Sequence, residues 1–194
     1  MLSEKFKNNH LILASGSPRR QELFKELGVK FSIRTKETKE IYPSNLKEQE
    51  ITNFLAELKA NAFDKELLEN DIVITADTIV WQHSRPVGKP KDTQDAIRML
   101  QAFSGKCHKV ISSVCIKTLN FQKTFYDVTK VYFKQLSTAE INYYVENYHP
   151  FDKAGGYGIQ EWIGFIGVTK VEGSYFNVMG LPVHKLYIEL QNMP

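Results

Sequence analysis

Residues 11–20 read LILASGSPRR: an apolar run that stops at two serines around a glycine, then a proline and two adjacent arginines. A strand, a tight turn of small residues and a helix N-terminus commonly build an anion site, because unpaired backbone N–H groups and the helix dipole point at the ligand. Gly16 would let the backbone approach closely. Arg19 and Arg20 fall in the first helical turn, where the dipole disfavours cations. Two positive charges in an already positive field make sense if an anion relieves them. The plainer reading is that Ser17 caps the helix and the arginines face water; no Walker-type glycine–lysine loop occurs to decide between the two.

Asp77 stands in ITADTIV, in the middle of an apolar strand. A carboxylate there is costly to bury unless it is paired, hydrogen-bonded or bound to metal. It could activate a water as general base, hold a divalent metal, or both; alternatively it caps a turn between two short strands. Lys89, just before Pro90 in GKPKD, could offer a point charge to a phosphate, although a loop lysine usually serves only solubility. Lys59 follows Leu58 at the margin of an apolar helical stripe, where lysines usually snorkel to water. DKAGGYGIQ, residues 152–160, has three glycines in four positions, so its backbone could pass close to a ligand. Its Gln160 offers both a donor and an acceptor, which suits a nucleobase edge; the alternative is a plain flexible loop. The histidines at 10, 83, 108, 149 and 184 show no metal-ligand spacing and are assigned no role.

The elements that must position these groups follow from periodicity. HLILA predicts a short buried strand and PRRQELFKELG the next helix, with Ser17 as N-cap, Pro18 at its first position and Gly28 past its end. Leu23 and Leu27 share its apolar face, with Phe24 beside them. KFSIR predicts a second strand and residues 36–44 a loop. Ile51, Phe54, Leu55, Leu58 and Ala62 recur at helical spacing and predict one helix over 45–63. DIVITADTIVWQ is too apolar for a surface strand, HSRPVGKPKD breaks it as a loop, and TQDAIRMLQAF is helical up to Ser104–Gly105. Residues 106–134 predict long antiparallel strands joined near Asn120. Ser137 with Glu140 opens a further helix to about Asn147 by a capping box, and Val183, Leu186, Tyr187 and Leu190 give a C-terminal helix. Strands and helices alternate without repeat or linker, which predicts one α/β domain over 1–194, a mixed sheet with helices packed on it.

Bulk properties narrow the partners. A formal charge of +3 over 194 residues lacks the basic excess of a nucleic-acid binder, while leaving room for a local anion pocket. With 42% hydrophobic residues the chain can bury a sizeable core. Cys107 and Cys115 are too few for a disulfide framework or zinc ribbon and read as small core residues in a reducing compartment. The N-terminus is polar and mixed in charge, and no apolar run approaches the roughly 20 residues of a membrane span. The expectation is a soluble, cytoplasmic protein with no nucleic-acid or membrane partner.

Taken together, LILASGSPRRQELFKELGV, ADTIV, VGKPKDTQDAIRMLQAFSGKCHKV, DKAGGYGIQ and EGSYFNVMGLPV occur in the order and spacing of the Maf family, and the chain resembles it from about Leu11 to Leu190. Members are known as nucleoside triphosphate pyrophosphatases and were first linked to septum formation. The resemblance implies a fold similar to the inosine triphosphate pyrophosphatases: α/β, with a mixed, largely antiparallel twisted sheet, flanking helices and two lobes around a nucleotide cleft. It implies hydrolysis of a nucleoside triphosphate to the monophosphate and pyrophosphate, with Asp77 as proton acceptor. It ties Arg19, Thr78 and Gln160 to substrate choice, Ser15, Ser17, Lys59 and Lys89 to phosphate contacts, and Glu40, with Asp77, to a divalent metal of the magnesium or manganese class. A homodimer is typical of such relatives. The intact DKAGGYGIQ resembles the branch acting on dTTP and UTP; the alternatives are the 7-methyl-GTP branch and a nucleotide-binding regulator of cell division with little turnover. One departure stands out: Glu161–Trp162 follows Gln160 where a glycine usually comes first. Trp162 is left either to stack near the base or to pack, and side specificities (CTP, modified uridine nucleotides) stay open.

Overall fold

The computed structural model describes residues 1–193, and the chain divides into two compact units. The first holds residues 1–77, 112–127 and the segment from Gly180 onward; the second holds 78–111 and 128–179.

In the first unit, α1 (Leu2–Lys5) precedes β1 (His10–Leu13), α2 (Pro18–Lys25), β2 (Phe31–Ile33), α3 (Gln49–Asn61) and the start of β3 (Asp71–Gln82). Strand β1 lies between β2 and β3, parallel to both, with Leu11 opposite Phe31 on one side and Ile72 on the other. Strands covered on both faces need near-continuous apolar runs, which is what Leu11–Leu13 and the buried residues 72–74 supply. The pleat of β3 sends alternate side chains to opposite faces. Val73 and Thr75 share one face: Val73 clusters with Ile12, Phe63 and Leu67, and the Thr75 hydroxyl donates to the Ala56 carbonyl of α3 at 2.6 Å. Helix α3 begins at Gln49 rather than at the expected 45. Leu46 N–H closes a turn on the Pro43 carbonyl, and Glu48, at φ 48°, is not helical. His10, which the sequence left without a role, fastens the strand starts: its Nδ1 meets Asp71 Oδ1 at 3.0 Å and its Nε2 meets Ser32 Oγ at 2.8 Å. The C-terminal helix α8 (Val183–Asn192) buries Leu186 and Leu190, as its spacing predicts.

The second unit contains the rest of β3, β4 (Arg85–Val87), α4 (Thr93–Phe103), the start of β5 (Cys107–Lys117), the end of β6 (Gln122–Phe133), α5 (Thr138–Tyr148), a 3-10 turn (Ala154–Gly156), α6 (Trp162–Gly167), β7 (Val168–Glu172) and α7 (Tyr175–Met179). The capping box of Ser137 and Glu140 is formed, and Asp92 caps α4 through Asp95 N–H. HSRPV is not all loop: it turns β3 back into β4, Val80 opposite Val87. His83 and Ser84 both carry positive φ, 49° and 59°. A turn of this kind normally carries Asn–Gly, and His–Ser in its place gives no sequence signal for the hairpin. Cys115 is buried as expected, but Cys107, at the strand start, is exposed. Among the described residues, seven strands form one sheet in the order β2-β1-β3-β5-β6-β7, with β4 on β3. The sheet is mixed, with β4 and β7 pairing antiparallel to β3 and β6, and β5 turning into β6 where Thr118 N–H bonds the Phe121 carbonyl.

His108 lies in the core of this second unit, its Nε2 2.6 Å from the Tyr157 hydroxyl and its ring against Phe103 and Phe133. Burial pushes its imidazole down to about 3. The unfolded chain therefore takes up a proton near pH 6.5 that the folded chain refuses until about pH 3. Stability drawn from neutral His108 is full above pH 6.5 and falls across that window by about 1.4 kcal/mol per pH unit. His108→Gln is expected to flatten the decline, and urea unfolding of both proteins at pH 7.5, 6 and 5 reads it; parallel slopes would refute the assignment.

Candidate functional site

The turn before α2 is built as an open N-terminus. Ser17 is the N-cap, extended at φ −74° and ψ 117°, yet its side chain accepts no capping bond. Its own N–H donates to Ser15 Oγ at 3.3 Å, and the Ser15 carbonyl accepts from Gln21 Nε2 at 3.0 Å, so the two serines are held over the first turn of the helix. Pro18 occupies the first helical position, and no acidic residue offsets the dipole there.

The two arginines have different fates. Arg20 folds back into the protein: Nε donates to the Gly180 carbonyl at 2.8 Å and Nη1 to the Ala76 carbonyl at 2.9 Å. It thereby ties α2 to β3 and to the chain entering α8. Burial pushes the Arg20 guanidinium below its ordinary value; Asp77 pulls it back up, Arg19 lowers it further and Glu40 raises it. Arg20 is thus a half-buried cation tied to two carbonyls in a field set by Asp77, Arg19 and Glu40, not a solvated helix-surface residue. Arg19 is half-buried.

Asp77, 6% exposed, is the next inward position of β3 after Thr75 on the face toward α3. Its Oδ1 accepts from Lys59 Nζ at 2.6 Å, and the same ammonium lies 2.9 Å from Glu40 Oε1. Lys59 therefore does not snorkel to water. It sits in the last turn of α3, where the dipole favours a cation, and bridges two carboxylates that the sequence places 37 positions apart. Two carboxylates closing on one ammonium define a cation-sized position. An all-oxygen pair of this kind suits a magnesium-class ion whose remaining ligands are water and substrate phosphate. Among the described residues no cluster of three or more metal-ligating side chains occurs.

In the second unit Thr78 follows Asp77 and is half-buried, its side chain on the opposite face of the strand. Lys89 is exposed on the loop between β4 and α4. That loop is docked on the glycine loop: Gly155 N–H donates to the Gly88 carbonyl at 2.9 Å, and a Cβ on Gly156 would come within 3.1 Å of the Pro90 ring. Lys89 and Gln160 are thus carried by two loops fastened to each other. Gln160 is half-buried at the third position of a turn closed by Glu161 N–H on the Gly158 carbonyl at 3.0 Å. Trp162 packs: its ring centroid lies 4.7 Å from that of Tyr143, and it lines the core of this unit. The first unit therefore gathers Ser15, Ser17, Arg19, Glu40, Lys59 and Asp77, and the second holds Thr78, Lys89 and Gln160.

A family profile described as "Maf-like protein" matches residues 10–193. A Flavobacterium johnsoniae protein named dTTP/UTP pyrophosphatase is 60% identical over 187 residues, 96% of each chain. A Flavobacterium psychrophilum protein of the same name is 55% identical over 192 residues, 99% of this chain and 98% of that one. Among solved structures, the Staphylococcus aureus Ham1 protein is similar at a TM-score of 0.47 and 16% identity, over 64% of this chain and 72% of that one.

Proposed function

The chain belongs to the Maf family, and on that premise we propose that it hydrolyses dTTP and UTP to their monophosphates and pyrophosphate, a nucleotide-pool housecleaning activity of the cytoplasm. The observation that carries the reading is the Asp77 carboxylate, 6% exposed and 2.6 Å from the Lys59 ammonium, in one unit with the arginine-bearing start of α2. A module that only bound an anion would gain nothing from a carboxylate among those cations. The names of the relatives choose the substrate.

Ser15, Ser17, Arg19 and Lys59 receive the triphosphate, with Lys89 a further phosphate contact. Asp77 takes the proton of a water whose oxygen attacks the phosphoryl phosphorus as the α–β anhydride bond breaks and pyrophosphate departs with the bonding electrons. A magnesium or manganese ion held by Asp77 and Glu40 would neutralise charge on the phosphoryl oxygens. Lys59, meeting both carboxylates, keeps them oriented and adds its own charge beside the phosphates. Gln160 and Thr78 select the base, Gln160 by donor and acceptor contacts to the pyrimidine edge.

Pyrophosphate release from dTTP, UTP, CTP, GTP and 7-methyl-GTP, with magnesium or manganese and with chelator, tests the reading. The expected result is chelator-sensitive turnover of dTTP and UTP. Turnover of 7-methyl-GTP alone would place the chain in the other branch of the family, and binding of every nucleotide with turnover of none would favour a regulator.

A further inference from the structure

The residue after Gln160 is Glu161, and the structure gives its carboxylate a task. Glu161 is half-buried, and its carboxylate accepts from the Tyr144 hydroxyl of α5 through one oxygen and pairs with Lys153 Nζ at 3.1 Å through the other. The Tyr144 oxygen in turn accepts from Gly158 N–H at 3.0 Å. Gly158 and Glu161 are the two ends of the turn whose middle is Ile159–Gln160. A single buried phenol thus grips both ends of that turn, and Lys153, itself 8% exposed, holds the carboxylate from the other side.

Two further features fit a brace. Burial raises the Tyr144 phenol above its ordinary value, and the neighbouring Glu161 carboxylate raises it further, so the hydroxyl stays protonated as the donor. Glycine at 158 is what lets the carboxylate cross the turn, since a Cβ there would lie 2.7 Å from the Glu161 carboxyl carbon.

We infer that Tyr144 and Glu161 are positioning residues that hold Gln160 in the orientation that selects the base, so that the Tyr144 hydroxyl sets discrimination among pyrimidine nucleotides without touching substrate. The inference rests on the pyrophosphatase reading for what Gln160 selects. A residue acting this way changes KM and selectivity, because the orientation of the base contact changes while the phosphates and Asp77 do not.

The experiment compares kcat/KM for dTTP and CTP in the wild type, Tyr144→Phe, Glu161→Leu and Glu161→Gln, each also in a Gln160→Leu background. Loss of the phenol hydroxyl is expected to lower the dTTP:CTP ratio about five- to ten-fold, the size of one hydrogen bond's net contribution. The change falls on KM, with kcat for dTTP within about two-fold. Glu161→Leu reads the brace from its other end should Tyr144→Phe fold poorly. Glu161→Gln, which still accepts from Tyr144, should retain most of the ratio. In the Gln160→Leu background, Tyr144→Phe should leave the ratio where it is. An unchanged ratio in Tyr144→Phe and Glu161→Leu, or an equal effect with and without Gln160, would overturn the inference. Should the wild type release no pyrophosphate from any nucleotide, the pyrophosphatase reading falls, and the brace is then read by amide hydrogen exchange. Faster exchange at Gly158 and Glu161 in Tyr144→Phe upholds it, and unchanged exchange overturns it.

Discussion

Asp77→Asn is expected to lower kcat for dTTP by ~10²–10⁴-fold, the usual worth of a positioned general base, while nucleotide affinity holds or tightens. The asparagine keeps the shape of the side chain, and its Oδ1 still accepts from Lys59 Nζ, 2.6 Å away in the parent. What disappears is the charge and the proton-accepting capacity. Lys59 and Arg20 then face one carboxylate fewer, so the field at the site becomes more positive and a triphosphate is held at least as well. Folding should survive, because Lys59 keeps Glu40 at 2.9 Å and is not left as an unpaired buried charge. Single-turnover rates, equilibrium nucleotide binding and a melting curve separate the possibilities. A drop in affinity matching the drop in rate, or collapse of the fold, would make Asp77 a structural partner of Lys59 instead of the base.

That pair also marks the boundary of what the sequence discloses. The buried carboxylate is legible because an aspartate inside DIVITADTIVWQ contradicts its surroundings, and the uncapped start of α2 draws attention because arginines contradict a helix N-terminus. Contradictions of this kind are local and visible. The identity of the partner is not: the periodicity of α3 puts Lys59 at the edge of its apolar stripe, where the general tendency is to snorkel, and only the packing of α3 on β3 turns the ammonium onto Asp77. Arg19 and Arg20 are chemically identical in the sequence, and what separates them is a pair of carbonyls, at Ala76 and Gly180, that are 56 and 160 positions from Arg20. The elements between 162 and 179 are hidden in the sequence for another reason. With lengths of six, five and five residues, α6, β7 and α7 are too short for a helical or strand period to emerge, and Gly164 and Gly167 break the apolar pattern of α6. Tyr144 and Glu161, 17 positions apart on either side of a loop, fall in the same blind spot.

Gly164→Ala shows how packing can reverse the sign that local propensity predicts. Gly164 sits inside α6, and replacing a helical glycine by alanine ordinarily stabilises by about 1 kcal/mol. Here a Cβ would lie 1.9 Å from the Ile159 carbonyl oxygen, 2.5 Å from its carbon and 2.8 Å from the Ile159 Cα. All three atoms are backbone, so no side chain can swing aside, and either α6 or the 158–161 turn must move. Overpacking that side chains can partly absorb already costs typically ~1–3 kcal/mol. A clash with rigid backbone exceeds that, outweighing the propensity gain and reaching the range of about 4 kcal/mol or more where single substitutions threaten a small domain. The expected result is a strongly lowered melting temperature or failure to fold. Gly88→Ala is the control: a Cβ there meets nothing within 4 Å, and its melting temperature should stay close to the parent's. Equal melting temperatures for the two variants would show that α6 can slide off the turn at little cost, and Gln160 would then rest on a far softer support than its hydrogen bonds imply.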